Sequence, residues 1–340
     1  MVIAPGRRDR PDAFAPAGER RDPAADAVAN CPFCPGREER TPPEVWARRP
    51  GGGGADRPGW EQRSVPNLYP VLGGPDPVAA VVSPTQESGL TSAADPLRSS
   101  ARAAEPELFR TAPARGAHEV IVSSPRHALS LAELDAAELG GAIAAWRERI
   151  SAHAGEASYV HLCVNEGPAA GATLPHTHAQ LLALPWVPTE IARERERFGA
   201  YHERTMGSHL LEDLLVEEVR RSDRLVAIDD EAALICPWAS RFPYELRLLP
   251  RTVAPRFDRD ERGAALLGRA LAALAARFDG APQLNLWVRT APRDCAEFHW
   301  HLDIAPRLTV RAGFELGTGV EVNPVTPERA AAELREAIGA

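Results

Sequence analysis

Ser158-Tyr-Val-His-Leu-Cys-Val164, Asn165-Glu-Gly-Pro-Ala-Ala-Gly-Ala-Thr173 and His176-Thr-His-Ala-Gln-Leu-Leu-Ala-Leu184 form the stretch whose reading decides the fold. The first and last pieces read as strands, and the Gly/Ala-rich piece between them reads as a loop. The same order recurs downstream. Leu284-Asn-Leu-Trp-Val288 is a strand, a short loop follows, and His299-Trp-His-Leu-Asp303 is a strand. Val160 to Asn165 lines up with Leu284 to Arg289, and His176-Thr-His-Ala-Gln180 with His299-Trp-His-Leu-Asp303. The interval from Asn165 to His176 is 11 residues, and from Arg289 to His299 it is 10. An internal duplication is the simplest account.

Working outward, Glu119-Val-Ile-Val122 is a strand that ends at Ser124-Pro125. Ser130-Leu-Ala-Glu133 has the pattern of a capping box and predicts a helix to about His153. In the second half, Tyr244 to Leu249 is a strand ending at Pro250, and Asp258 to Phe278 is an Ala/Leu-rich helix. Thr326-Pro327-Glu328 opens a closing helix, with Pro at the first helical position. Arg63 to Leu72 reads as a short strand broken by Pro. Residues 1–30, Gly51 to Gly54 and residues 73–115 read as irregular, the last long enough to be a lid or an insertion.

The 340 residues suffice for about two domains. All 39 basic residues are Arg. The absence of Lys excludes a catalytic Lys, a Schiff base and a phosphate-loop Lys. The net charge of −8 argues against nucleic acid or an anionic membrane as partner. No apolar run has the length of a signal peptide or a membrane span. The five cysteines are too few and too scattered for a secreted disulfide framework, so the cytoplasm is the expected location.

The chemistry concentrates in His176-Thr-His-Ala-Gln180. Alternate residues of a strand share a face, which places His176, His178 and Gln180 on one side. Imidazole is a nucleophile at neutral pH, and its phosphoryl adduct is reactive enough to turn over. The Gln180 amide can donate to a phosphoryl oxygen. The small residues Gly171-Ala172-Thr173 would let backbone N–H groups approach a phosphate. The plain alternative is a pair of outward polar positions on an edge strand. A second cluster is Cys31-Pro-Phe-Cys34. Two thiolates at this spacing can chelate one Zn²⁺, and His127 and His176 would complete a Cys₂His₂ set. The rivals are a redox pair and two unrelated buried thiols. Cys163 reads as a packing thiol, Trp300 as core, and Arg193 to Arg197 as a solvated helix face.

These motifs, with Val65-Pro-Asn-Leu-Tyr-Pro70, His118-Glu-Val-Ile-Val-Ser-Ser-Pro-Arg-His127, Phe298-His-Trp-His301 and Gly313-Phe-Glu-Leu-Gly-Thr-Gly319, come in one order along nearly the whole chain. Together they resemble the galactose-1-phosphate uridylyltransferase family of the histidine-triad superfamily. The wording is nearest the branch that includes plant ADP-glucose phosphorylase. The resemblance implies that His178 attacks the α-phosphorus of a nucleoside-diphosphate sugar and that Gln180 holds the phosphoryl oxygens. It implies nucleotide-binding roles for Asn67, Asn165, Gly171, Ala172 and Thr173. Arg7, Arg10 and Glu315 would hold the sugar phosphate. Cys31, Cys34, His127 and His176 would bind one structural zinc that braces the nucleophile strand. The chain departs from the family at Thr177, where the uridylyltransferases usually have Pro. Positions that carry a second metal in some relatives are His209, Glu212 and Val253 here, and only His299 matches. A second metal is therefore doubtful.

The expected protein is α+β, made of two fused histidine-triad-like halves of mostly antiparallel sheet with flanking helices. Residues 1–190 form the half with the catalytic and zinc sites, and residues 191–340 form a degenerate half. The expected activity is transfer of UMP between a UDP-hexose and a hexose 1-phosphate through a covalent nucleotidyl-histidine, in a homodimer. One alternative is a phosphorylase or hydrolase of ADP-sugars or dinucleoside polyphosphates using the same histidine. Another is a zinc-braced nucleotide-binding module without catalysis.

Overall fold

The computed structural model describes residues 2–3, 25–73, 78–80 and 111–339. The first half holds β1 (Val2–Ile3), α1 (Ala25–Asn30), β2 (Trp46–Arg48), β3 (Gln62–Pro66), β4 (Val78–Ala80), β5 (Thr111–Pro113), β6 (Ala117–Val122), α2 (Ala136–His153), β7 (Tyr159–Glu166) and β8 (His178–Leu184). There follow α3 (Thr189–Arg204), α4 (Leu210–Arg221), β9 (Leu225–Ile228), β10 (Ala232–Ile235), β11 (Leu246–Pro250), α5 (Ala264–Arg277), β12 (Leu284–Arg289), β13 (His301–Pro306), α6 (Gly313–Thr318) and α7 (Pro327–Gly339).

Ten strands make one sheet in the order β2-β3-β6-β8-β7-β12-β13-β11-β10-β9, and β1, β4 and β5 make a separate sheet of three. Every pairing in the large sheet is antiparallel. Read from its centre, each side repeats one plan. β7, β8, β6 and β3 on one side match β12, β13, β11 and β10 on the other. α2 joins β6 to β7, and α5 joins β11 to β12. The two central strands pair with Asn165 opposite Asn285 and Cys163 opposite Trp287. The fold is thus the expected α+β arrangement of two fused histidine-triad-like halves.

Strand alternation separates two faces of the sheet. Ile121, Leu162, Ala179, Leu181, Leu286, Val288, Leu302 and Ile304 join one continuous core with α2, α5 and α7. The buried residues of α2, Leu139, Ala142, Ile143, Trp146 and Ile150, recur at helical spacing and form its inner stripe. Burying each large apolar side chain contributes about 1.5–3 kcal/mol. The alternating positions, His118, His178, Gln180, Cys163, Asn165, Asn285, Trp287 and Arg289, face the other way.

Glu119 is a charged group on the helix-covered face. Its carboxylate accepts from Arg149 (2.8 and 2.9 Å), His153 (2.6 Å) and Ser64 (2.7 Å). Burial alone would raise this carboxyl, but His153, Arg149 and Ser64 more than reverse it and hold it at about 2.

Several expected boundaries move. Ser130 caps only a single 3₁₀ turn, Leu131–Glu133. Its hydroxyl is also committed to Glu166 at 2.6 Å. The capping box belongs instead to α2, where Asp135 accepts from Ala137 and Glu138 N–H and Glu138 accepts from Asp135 N–H. The strand expected from His176 begins at His178, and the one expected from His299 begins at His301. The helix expected from Asp258 begins at Ala264, after a 3₁₀ turn. Arg7 and Arg10 lie outside the described residues.

Candidate active site and metal cluster

Cys31, Cys34, His127 and His176 come together from four points in the sequence. One ligand atom from each lies within 4.8 Å of all the others. Cys31 Sγ is 3.4 Å from His176 Nδ1, and Cys34 Sγ is 3.3 Å from His127 Nδ1. His176 donates its Nε2–H to the Ser124 carbonyl at 2.9 Å, which leaves Nδ1 as the ligating nitrogen. Both cysteines are free thiols. Two soft sulfurs and two imidazole nitrogens converging on one point are a donor set that fits a metal ion, and the redox reading of Cys31-Pro-Phe-Cys34 finds no support here. Burial pushes the Cys31 thiol up to about 11 and the His176 imidazole down to about 4.

The cluster is one residue away from β8. His178 opens β8, is 8% exposed, and donates Nδ1–H to the His176 carbonyl at 2.7 Å. A carbonyl only accepts, so the hydrogen is on Nδ1 and the lone pair on Nε2. Phe33, from inside Cys31-Pro-Phe-Cys34, packs edge-on against the His178 ring with centroids 5.2 Å apart. Thr177 points to the opposite side. Its hydroxyl donates to Glu166 at 2.9 Å, and Glu166 also accepts from Ser130 and from Leu131 N–H. Burial raises the Glu166 carboxyl, against the pull of these three donors. Thr177 N–H reaches the Ala128 carbonyl at 2.7 Å. The residue between the two histidines thus anchors the strand rather than lining the site.

Three amides surround this strand. Gln180 follows His178 on the same face, and its Oε1 is 3.1 Å from His118 Nε2. Asn165, at the end of β7, accepts at Oδ1 from Asn285 Nδ2 at 2.8 Å. Asn67 accepts at Oδ1 from Tyr69 N–H at 2.9 Å. In each case the carbonyl oxygen is tied, so what the amide offers a ligand is its NH₂ group. Donors of this kind, next to an imidazole lone pair, suit an anionic phosphoryl group.

The Gly/Ala loop behaves differently from expectation. Ala169 N–H goes to Gln283 Oε1, Ala170 and Ala172 N–H to the Gly167 carbonyl, and Gly171 N–H to the Pro168 carbonyl. A tight 3₁₀ turn consumes the Gly171 and Ala172 N–H groups, two of those that the sequence assigned to phosphate. Gly167 and Gly171 have φ of 82° and 85°, a conformation that favours glycine. Asn285 also donates to the Ala170 carbonyl at 2.8 Å. The second half therefore braces the loop through Gln283 and Asn285. Phe33, His118, Glu166, Gln283 and Asn285 were given no role by sequence reasoning. His118 and Phe33 stand inside motifs that it quoted, and Asn285 lies in the strand aligned with β7.

On the same sheet face lies a cavity of about 500 Å³ bounded by His161, Cys163, Asn165, Leu182, Trp287 and Arg289, among others. Cys163 lines this cavity rather than the core. Burial holds the His161 imidazole down at about 4 and the Cys163 thiol up at about 12. Glu315 sits on α6 in an exposed segment, where it accepts from Ala312 N–H at 2.9 Å. In the second half, Glu194 accepts from Arg289 at 3.3 Å and faces His301 Nε2 at 3.4 Å.

Residues 88–188 match the family model described as galactose-1-phosphate uridyl transferase, N-terminal domain. The galactose-1-phosphate uridylyltransferase of Haemophilus influenzae is 30% identical over 243 residues, 67% of this chain and 69% of the relative. The chain belongs to the galactose-1-phosphate uridylyltransferase family. Within this uridylyltransferase family, the ADP-glucose phosphorylase of Arabidopsis thaliana is 29% identical over 352 residues, 99% of this chain and 89% of the relative. The crystal structure of an Arabidopsis ADP-glucose phosphorylase with bound ADP-glucose superimposes with a TM-score of 0.70 at 28% identity, covering 98% of this chain and 93% of that one. Membership of the uridylyltransferase family supports nucleotidyl transfer on sugar phosphates as the class of activity. No helix among the described residues is long and apolar enough to cross a membrane.

Proposed function

We propose that this chain moves a nucleotidyl group between phosphorylated sugars through a covalent adduct on His178. The observation that carries the reading is the tethered imidazole of His178 beside amides whose oxygens are already bonded. Nε2 of His178 attacks the α-phosphorus of a nucleoside-diphosphate sugar. The bond from that phosphorus to the bridging oxygen breaks, and a sugar 1-phosphate leaves with the electron pair. The leaving group is already a phosphate ester, so it departs without a proton donor. A phosphate oxygen of the acceptor then attacks the same phosphorus, and the N–P bond breaks. Gln180 donates to the phosphoryl oxygens as their charge grows. Asn67 and Asn165 hold the nucleotide by their NH₂ groups, and the turn at Gly171, Ala172 and Thr173 bounds it by shape rather than by the Gly171 and Ala172 N–H groups.

The donor we assign is a UDP-hexose and the acceptor a hexose 1-phosphate. A second reading, phosphorolysis of ADP-glucose, is favoured by the Arabidopsis relative, whose match spans nearly this whole chain. Cys31, Cys34, His127 and His176 would hold Zn²⁺, which when bound supplies a rigid crosslink at the foot of β8. Arg7, Arg10 and Glu315 would hold the sugar phosphate. The segment with Leu308, Val310, Phe314, Leu316, Val320 and Val322 exposed supports a homodimer in which Glu315 serves the partner's site. The division into residues 1–190 and 191–340 and a cytoplasmic location belong to the same reading.

Phosphorus NMR of two mixtures tests it: UDP-glucose with galactose 1-phosphate, and ADP-glucose with inorganic phosphate. The first reading predicts UDP-galactose and glucose 1-phosphate from the first mixture. The second predicts ADP and glucose 1-phosphate from the second mixture alone. Unchanged spectra in both would contradict the two together.

A further inference from the structure

His118 lies on β6, 4% exposed, on the face that carries Gln180. Its ring is held from both ends. Val71 N–H reaches Nδ1 at 3.1 Å. A backbone amide can only donate, so Nδ1 carries a lone pair and the hydrogen of the neutral ring is on Nε2. That nitrogen lies 3.1 Å from Gln180 Oε1 and 3.2 Å from Asn67 Nδ2. Of these two atoms only the Gln180 oxygen can accept. If Gln180 were rotated by half a turn, its NH₂ would meet an N–H, and the bond would be lost.

We propose that His118 is a positioning residue that sets the polarity of the Gln180 amide. Val71 fixes the tautomer, the tautomer fixes which end of Gln180 faces the ring, and the NH₂ is thereby turned toward the phosphoryl group. His118 touches no reacting atom and acts through Gln180. The inference rests on the reading of Gln180 as a donor to the phosphoryl oxygens. It gives a role to a buried imidazole whose neighbours along and across the strands on this face include the apolar Val120 and Leu182. The ring is a relay between a backbone amide and a side-chain amide, with an acceptor at one end and a donor at the other. Glutamine can keep the donor at the Nε2 end, whereas phenylalanine keeps the shape and loses both.

A double-mutant cycle on the rate of adduct formation from UDP-glucose or ADP-glucose reads this directly. His118→Phe is expected to slow the reaction about tenfold in the native background and less than about twofold in Gln180→Ala. His118→Gln is expected to restore most of the rate, with the apparent affinity for the nucleotide sugar unchanged in His118→Phe and His118→Gln. Equal slowing by His118→Phe in both backgrounds would overturn this inference alone. An unmodified native protein with both donors would overturn the reading of function and this inference with it. Long-range proton–nitrogen NMR of the native protein supplies a measurement that no folding defect can confuse. The Nε2–H tautomer of His118 is expected, and the Nδ1–H tautomer would overturn the inference.

Discussion

His178 and His301 occupy matching places in the two halves and use the same backbone device. Each donates Nδ1–H to the carbonyl two residues earlier, at 2.7 Å for His178 and 3.1 Å for His301. Their surroundings differ in every chemical respect. Beside His178 stands Gln180, a neutral donor, whereas His301 has Asp303 in that place. Arg247 holds Asp303 at 2.7 Å, and α3 brings the Glu194 carboxylate to 3.4 Å from His301 Nε2. Burial alone would raise the Asp303 carboxyl, but Arg247 and His301 hold it well below the usual range. His301 is fully buried, and burial pushes its imidazole well below its ordinary value. A phosphoryl group brought to His301 would meet carboxylates. The comparison teaches that the tethered imidazole is a property of the fold, while the chemistry is set by the residue two positions on and by what covers the strand. The intervening residues, different in type, act alike by donating to a carboxylate. Thr177 anchors β8 to Glu166, and Trp300 anchors β13 to Asp260 at 2.7 Å.

The largest predicted effect sets the two histidines against each other. His178→Ala should lower release of sugar 1-phosphate by about 10⁴-fold or more, while His301→Ala should leave it within about twofold. Equal losses in a steady-state assay would erase the distinction between the halves. The metal cluster sharpens it further. If the cluster holds Zn²⁺ as proposed, Cys34→Ser should abolish metal binding and cost about 3 kcal/mol or more of stability, read by elemental analysis and thermal melting. His299→Gln, at the position matching His176, should leave the metal content unchanged.

The buried pair of the second half gives the next effect. Arg247→Met leaves the Asp303 carboxylate buried without its partner, at an expected cost of about 3–5 kcal/mol in chemical denaturation. Turnover per folded molecule should be unaffected. Asn285→Ala frees the Asn165 oxygen and loosens the Ala170 turn, and is expected to slow adduct formation about tenfold through roughly 1–1.5 kcal/mol of lost hydrogen bonding. No change would mean that the second half does not brace the first. The last effect is one of pH. Glu119 has a folded value of about 2 against an ordinary 4.5. Its contribution to stability is complete above about 4.5 and is lost as pH falls from there toward about 2. Glu119→Gln should flatten the fall in melting temperature within that window and leave the curve above it unchanged in shape.

Much of this was legible in the sequence. The repeat of strand, loop and His-x-His strand predicted both halves of the sheet, because the period of two and the Gly/Ala punctuation are local signals. The convergence of Cys31, Cys34, His127 and His176 was legible too, as Cys-x-x-Cys and two histidines are a distinctive set by residue type. Of residues 191–243, only Arg193 to Arg197 were read as a helix face, which lies within α3; the full extent of α3 and the elements α4, β9 and β10 were not read, since the charged residues hide the buried positions Ile191, Phe198, Leu211 and Leu215. The start of α2 was displaced because Ser130 bonds a residue 36 positions away, a partner no local pattern reveals. The roles of His118 and Asn285 were illegible for the same reason. Each depends on a strand neighbour fixed by the sheet order, and the sheet order joins β6 to β8 and β7 to β12 across long intervals.

The measurement that bears most directly on the account is intact-protein mass after mixing with UDP-glucose or ADP-glucose in the absence of an acceptor, followed by peptide mapping. The account predicts a gain of one nucleotidyl group per chain, located on His178, absent in His178→Ala and retained in His301→Ala. An adduct on any other residue, or none with either donor in a metal-loaded and folded protein, would contradict it.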